Sequence, residues 1–187
     1  MTLDFENLTK IKSDLPYGYI MEQLFSPLLI VTTELHQALQ NLSKSTISKE
    51  LSLHFGGFYK NQKRLAESQK LKEVKLVLYQ ARIIATSVFL ARTGQIQSNL
   101  ILANQEVKIF DQRKVLELVE IKKNGEKNNF PDLKLKEYWL NELKIKEVLI
   151  ESEFQQSSLP NFDSDLAHQN AKNLISDFMN CNFKCFI

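Results

Sequence analysis

"KEVKLVLYQARIIATSVFLARTG", residues 72–94, decides the fold. Val74, Leu78, Ala81, Ala85, Val88 and Phe89 recur at three- and four-residue steps, the period of a helix with one apolar face. Gly94, placed after Arg92 and Thr93, is the expected stop, because glycine accepts the left-handed conformation that closes a helix. The segments on either side read the same way. Upstream, "TELHQALQNLSK" (33–44) is a helix with Thr33 as N-cap. "SKELSLHFGGFYKNQKRLAES" (48–68) sets Leu51, Phe55, Phe58 and Leu65 on a helical period. Further upstream, "GYIMEQLFSPLLIV" (18–31) carries Ile20, Met21, Leu24 and Phe25 at helical spacing until Pro27 stops it.

Downstream, "DQRKVLELVEIKKNG" (111–125) is a helix ended by Gly125. After a turn at Pro131, "LKLKEYWLNELKIKEVLIESEF" (133–154) turns Leu135, Tyr138, Trp139, Leu143 and either Ile145 or Val148 inward. A last helix follows Pro160, with Asp163 or Ser164 as N-cap. "TLDFENLTKI" (2–11) reads as a brief strand, with Leu3 and Phe5 on its inner face, then a helix start. The expectation is mainly α: residues 1–187 as one helical domain of about six helices, with at most one short N-terminal strand. The last 30 or so residues extend it.

Composition narrows the function. Of 187 residues, 43% are hydrophobic, enough for a core, and 25% are charged, ordinary for a soluble protein. The net charge of +2 gives no global pull toward nucleic acid or membrane, so any basic footprint is local. The stretch read as most apolar, "YIMEQLFSPLLIV", is short and is interrupted by Glu22 and Pro27, so no membrane span and no membrane partner are expected. The N-terminus lacks the pattern of a signal peptide. The two cysteines, Cys181 and Cys185, form no disulfide framework or metal set, which fits a reducing cytoplasm. His36, His54 and His168 are dispersed.

Three features could carry chemistry. "FGGFYKNQKRL" (55–65) places adjacent glycines before three basic side chains, although glycine is costly in a helix. Either a bound anion or a neighbouring helix comes close there, and close packing is the plainer expectation. Lys75, Tyr79 and Arg82 fall at i, i+4 and i+7, on one stripe of the 72–94 helix. Arg82 stands among apolar residues, where a guanidinium needs a carboxylate such as Glu22 or Glu73, or a phosphate that its planar fork can grip. Asp163 and Asp165 imitate a metal-binding pair, but a helix start also calls for acids, and capping is the expected role.

Taken in order, several stretches resemble one family. It comprises predicted nucleotidyltransferases of the DNA polymerase beta-like superfamily, including those encoded beside RNA ligases. "YIMEQLFSPLLI" is similar to its N-x-x-L-E-x-L-F-S-P segment at Glu22, Leu24, Phe25, Ser26 and Pro27. "FGGFYKNQKRL" resembles F-x-G-Y-x-K-x-Q-x-x-R-L at Phe55, Gly57, Lys60 and Gln62, with Phe58 replacing Tyr and with Arg64 and Leu65 one position short of its R-L. "KLVLYQARII" and "RTG" resemble K-x-x-x-H-x-x-R and T-G at Lys75, Arg82, Thr93 and Gly94, with Tyr79 at the His position. "ENLTKI" and "LELVEIKKNGE" match weaker elements, so the resemblance covers about residues 3 to 150.

The resemblance implies a nucleotide- or phosphate-facing surface at Lys60, Gln62, Lys75, Tyr79 and Arg82. For an intact member it implies ATP or another nucleotide with Mg2+. The family's opening G-S turn with its paired D-x-D carboxylates is absent from this sequence, and Asp4 is the nearest acid to its third carboxylate. The chain therefore resembles the helical half alone, inactive by itself and holding no cofactor. Its expected partners are a catalytic chain, a second copy of itself, a nucleotide or an RNA end. A helical dimerisation module without a nucleotide role remains the alternative.

Overall fold

A computed structural model describes residues 23–26, 31–68, 73–125 and 129–184. The expected N-terminal strand and most of the 18–31 helix lie outside them. Eight helices follow one another among the described residues: α1 (Glu34–Lys44), α2 (Leu51–Ser68), α3 (Val74–Thr93), α4 (Leu100–Val107), α5 (Gln112–Lys123), α6 (Leu133–Lys146), α7 (Leu149–Gln156) and α8 (Ser164–Lys184). No strand occurs there beyond an isolated bridge between Glu73 and Asn129. The protein is mainly α, as its periodicity predicts.

The 72–94 stretch becomes the axis of the fold. α3 is packed by α2, α4, α5, α6 and α7. Val74, Val77, Ala81, Ile83, Ile84, Ala85 and Val88 are fully buried. Its small polar side chains are satisfied by its own carbonyls: Thr86 Oγ1 donates to Arg82 O at 2.8 Å and Ser87 Oγ to Ile84 O at 2.8 Å. Hydroxyls paired in this way can enter a core without an unmet hydrogen bond. α3 is also long and apolar enough to cross a bilayer, a property the sequence reading gave to no segment. With 72% of its most apolar window buried by the rest of the protein, it has the character of a core helix.

Local chemistry sets the helix ends. Thr33 caps α1 by accepting from His36 N, and Asp132 caps α6 by accepting from Leu135 N. Gly94 closes α3 at φ 67°. Asp163 accepts from Leu166 N at 2.9 Å, the capping role expected of it. α4 was not anticipated; Asn99 starts it by accepting from Ile101 N and Leu102 N. The 133–154 helix is broken at Glu147 and Val148 into α6 and α7. Leu135, Trp139 and Leu143 face inward as expected, with Tyr138 packed against the core, but the break leaves Ile145 and Val148 exposed and buries Ile150 instead.

The glycine pair is a second correction. Gly56 and Gly57 lie inside α2. A Cβ built on either meets nothing within 4 Å among the described residues, so helix packing there does not require glycine. Each costs the helix about 1 kcal/mol relative to alanine. On this helix Tyr59 and Ala66 are buried while Leu65 is exposed.

Two polar clamps hold the periphery. Arg92 of α3 grips both carboxylate oxygens of Glu153 on α7, with Nε to Oε2 at 2.8 Å, and also donates to Val107 O of α4 at 3.2 Å. The hydrogen bond from Arg92 holds the Glu153 carboxyl below its ordinary range. Buried Asn104 donates to Phe110 O and Gln112 Oε1 and accepts from Phe110 N, fixing the turn between α4 and α5.

Candidate functional site

Three hollows adjoin α2 and α3. The first lies between α2 and the α6–α7 junction and measures about 540 Å3. Gly56 and Gly57 form part of its wall, and Lys49, Lys60 and Lys63 supply its cations. Glu50, Glu147 and Glu151 line it too. Lys63 Nζ is paired with Glu147 Oε2 at 2.8 Å. Lys49 Nζ donates to Gln155 O at 3.4 Å, and Glu50 Oε2 accepts from Phe162 N at 2.7 Å. Tyr59 lies beneath, where burial and then the neighbouring Glu147 push its hydroxyl pKa well up, so it stays protonated.

The second hollow, about 290 Å3, follows the predicted stripe of α3. Lys75, Tyr79 and Arg82 line it together with Asn99 at the start of α4 and Lys122 on α5. Tyr79 organises the cations: Lys75 Nζ lies 5.9 Å and the Arg82 guanidinium 5.7 Å from its ring centroid. The negative face of the ring partly offsets the repulsion between two like charges held two helical turns apart. Arg82 and Lys122 are not free cations, for each takes part in further interactions. No carboxylate is among the described residues that line this hollow.

The third hollow, about 650 Å3, also has Arg82 in its wall. His54, Gly57, Phe58 and Asn61 of α2 and Ser98 ahead of α4 line it, again without a described carboxylate. Burial lowers the His54 pKa, so its ring is neutral near pH 7. Arg82 belongs to both the second and third hollows.

The predicted residues are therefore divided. Lys75, Tyr79 and Arg82 meet as expected. Lys60 does not join them, because it lines the first hollow. Gln62 is half-buried on α2, its Oε1 enclosed, and lines none of the three. Asn99, Lys122, His54, Asn61 and Ser98 were missed. Asn99 had a signal, as a good N-cap before the apolar run "LILA". The others did not, since a lone His, Asn or Ser and a Lys in a helix-end pair look like any solvated position.

A family model for the RNA repair pathway DNA polymerase beta family (RlaP) matches residues 16–177. The chain belongs to that family. The match spans both the α2 and α3 motifs that carry the resemblance in the sequence. No curated protein and no solved structure matches the chain. In this RlaP member, no group of three or more His, Cys, Asp or Glu that could hold a metal occurs among the described residues. Asp163 is spent on capping α8 and Asp165 is exposed in its first turn. The described residues therefore do not fit a Mg2+ site.

Proposed function

We propose that this chain is a non-catalytic helical part of an RNA-repair nucleotidyltransferase and that it holds nucleotide phosphates on the Lys75–Tyr79–Arg82 stripe. One observation carries the reading: Lys75, Arg82 and Lys122 line one hollow whose described lining includes no carboxylate. A polyphosphate can accept charge-assisted hydrogen bonds from cations set around one hollow. The Arg82 fork suits two phosphate oxygens, and Lys75 and Lys122 act as point charges beside it. Family membership supports a nucleotide as the source of those phosphates. The 187 residues contain no G-S turn with paired carboxylates, so this reading gives them a binding role and no metal-aligned attack.

Calorimetric titration with inorganic triphosphate and ATP tests it, alongside the melting temperature of each variant. Wild type is expected to bind both weakly, with affinity falling as salt rises. Arg82→Gln should lose about tenfold, the value of a charge-assisted bidentate contact, at nearly unchanged stability. No binding by wild type, together with a clearly lower melting temperature for Arg82→Gln, would make Arg82 a structural residue and end the proposal. Incubation with labelled ATP, Mg2+ or Mn2+ and RNA should give no incorporation. Incorporation that persists in Asp4→Ala and Asp163→Ala would contradict the non-catalytic role.

A further inference from the structure

We infer that the hollow bounded by His54, Phe58, Asn61 and Ser98 receives the nucleoside end of a nucleotide whose phosphates lie against Arg82 and Lys75. The inference rests on the phosphate reading above and extends it. Continuity is the first argument: Arg82 lines both hollows, and Ser98 of one precedes Asn99 of the other in the chain. An anion gripped by Arg82 can thus carry an attached group onward between α2 and the start of α4.

The lining matches that group. A nucleoside has a flat apolar face, an edge of donors and acceptors, and sugar hydroxyls. Phe58 and His54 supply ring surface, their centroids 6.3 Å apart. The Asn61 carboxamide can donate and accept, and the Ser98 hydroxyl can do both. His54 Nε2 is enclosed and has no hydrogen-bond partner among the described residues. The volume of about 650 Å3 lies in the usual range for a small-molecule site.

Gly57 provides an independent argument. It lies within α2, where glycine weakens the helix, yet a Cβ there would meet nothing within 4 Å among the described residues. Internal packing gives no reason for the missing side chain. Gly57 lines both this hollow and the Lys60 hollow, so its missing side chain keeps the wall between α2 and these spaces open. Glycine at 57 thus favours an open cavity over a stable helix.

The test compares ATP with inorganic triphosphate on the full chain by calorimetry. ATP is expected to bind about tenfold more tightly, the scale of one base stacked on an aromatic ring. Gly57→Leu should remove that advantage, leave triphosphate binding unchanged and melt at the same or a higher temperature. Asn61→Ala should reduce the advantage several-fold, and it decides the matter alone if Gly57→Leu does not fold. Equal affinity for ATP and triphosphate in wild type would overturn the inference, as would an ATP advantage that survives in the folded variants. Failure of wild type to bind triphosphate at all would instead overturn the phosphate reading beneath it.

Discussion

The Lys60 groove and the Arg82 groove begin alike and end differently. Both lie along a long helix and both gather lysines. On the α2 side, carboxylates line the same hollow: Glu147 pairs with Lys63, and Glu50 and Glu151 stand nearby. On the α3 side, the described lining holds Lys75, Arg82 and Lys122 around the Tyr79 ring and no acid. A basic stretch in sequence is therefore a poor guide to an anion site. What matters is whether the fold brings acids to the same hollow, and that depends on α6 and α7, which begin more than sixty residues after α2 ends.

The largest expected effect inverts charge on each side. Arg82→Glu should weaken triphosphate binding more than about 30-fold, since it both removes a cation and adds a repelling anion. Lys60→Glu should leave binding within about twofold, because it sits in the other groove and a Debye length of about 10 Å screens the rest. Equal losses in the two variants, read by calorimetry, would break the distinction.

The comparison can also be sharpened by making the grooves alike. Glu147→Gln with Glu151→Gln strips the α2 groove of two carboxylates. A second, weak triphosphate site should then appear, at a stability cost of about 0.5 kcal/mol because the Lys63–Glu147 pair is partly exposed. Unchanged stoichiometry would mean that acid content does not separate the grooves.

Much of the framework was legible. α3 follows directly from its apolar period, and Thr33 and Gly94 mark ends by chemistry that depends only on neighbouring residues. The stripe Lys75–Tyr79–Arg82 was legible for the same reason, as i, i+4 and i+7 always share a helix face. Relations between helices were not. Nothing in "FGGFYKNQ" says whether Lys60 turns toward α3 or α7, or that the glycine pair faces open space. The break after Lys146 was hidden as well, because "LKIKEVLIESEF" keeps helical apolar spacing through it.

Smaller effects concern the glycine pair of α2, which lines the Lys60 groove. Gly56→Ala should raise stability by about 1 kcal/mol, since a methyl group has room and alanine favours the helix. That corresponds to about 2–4 °C in melting temperature for a chain of this size. A lower melting temperature would show that something outside the described residues packs on α2.

The smallest effect is a pH dependence. Burial lowers the folded-state pKa of His54 below its unfolded value of about 6.5. The unfolded chain therefore binds the proton more readily, and stability is lost as pH falls from about 6.5 toward the folded pKa. Glu153, held low by Arg92, adds a similar loss in the carboxylate range at more acid pH. His54→Gln should flatten the first part of the profile and leave the second. A profile unchanged above pH 5 would show that His54 does not drive it.

Amide chemical-shift mapping with inorganic triphosphate tests the central claim most directly, because one titration reports on both grooves at once. The account predicts saturable shifts at Lys75, Tyr79, Arg82, Asn99 and Lys122, with Lys49, Lys60 and Lys63 unmoved. Shifts centred on Lys49, Lys60 and Lys63, or no saturable shift anywhere, would contradict it.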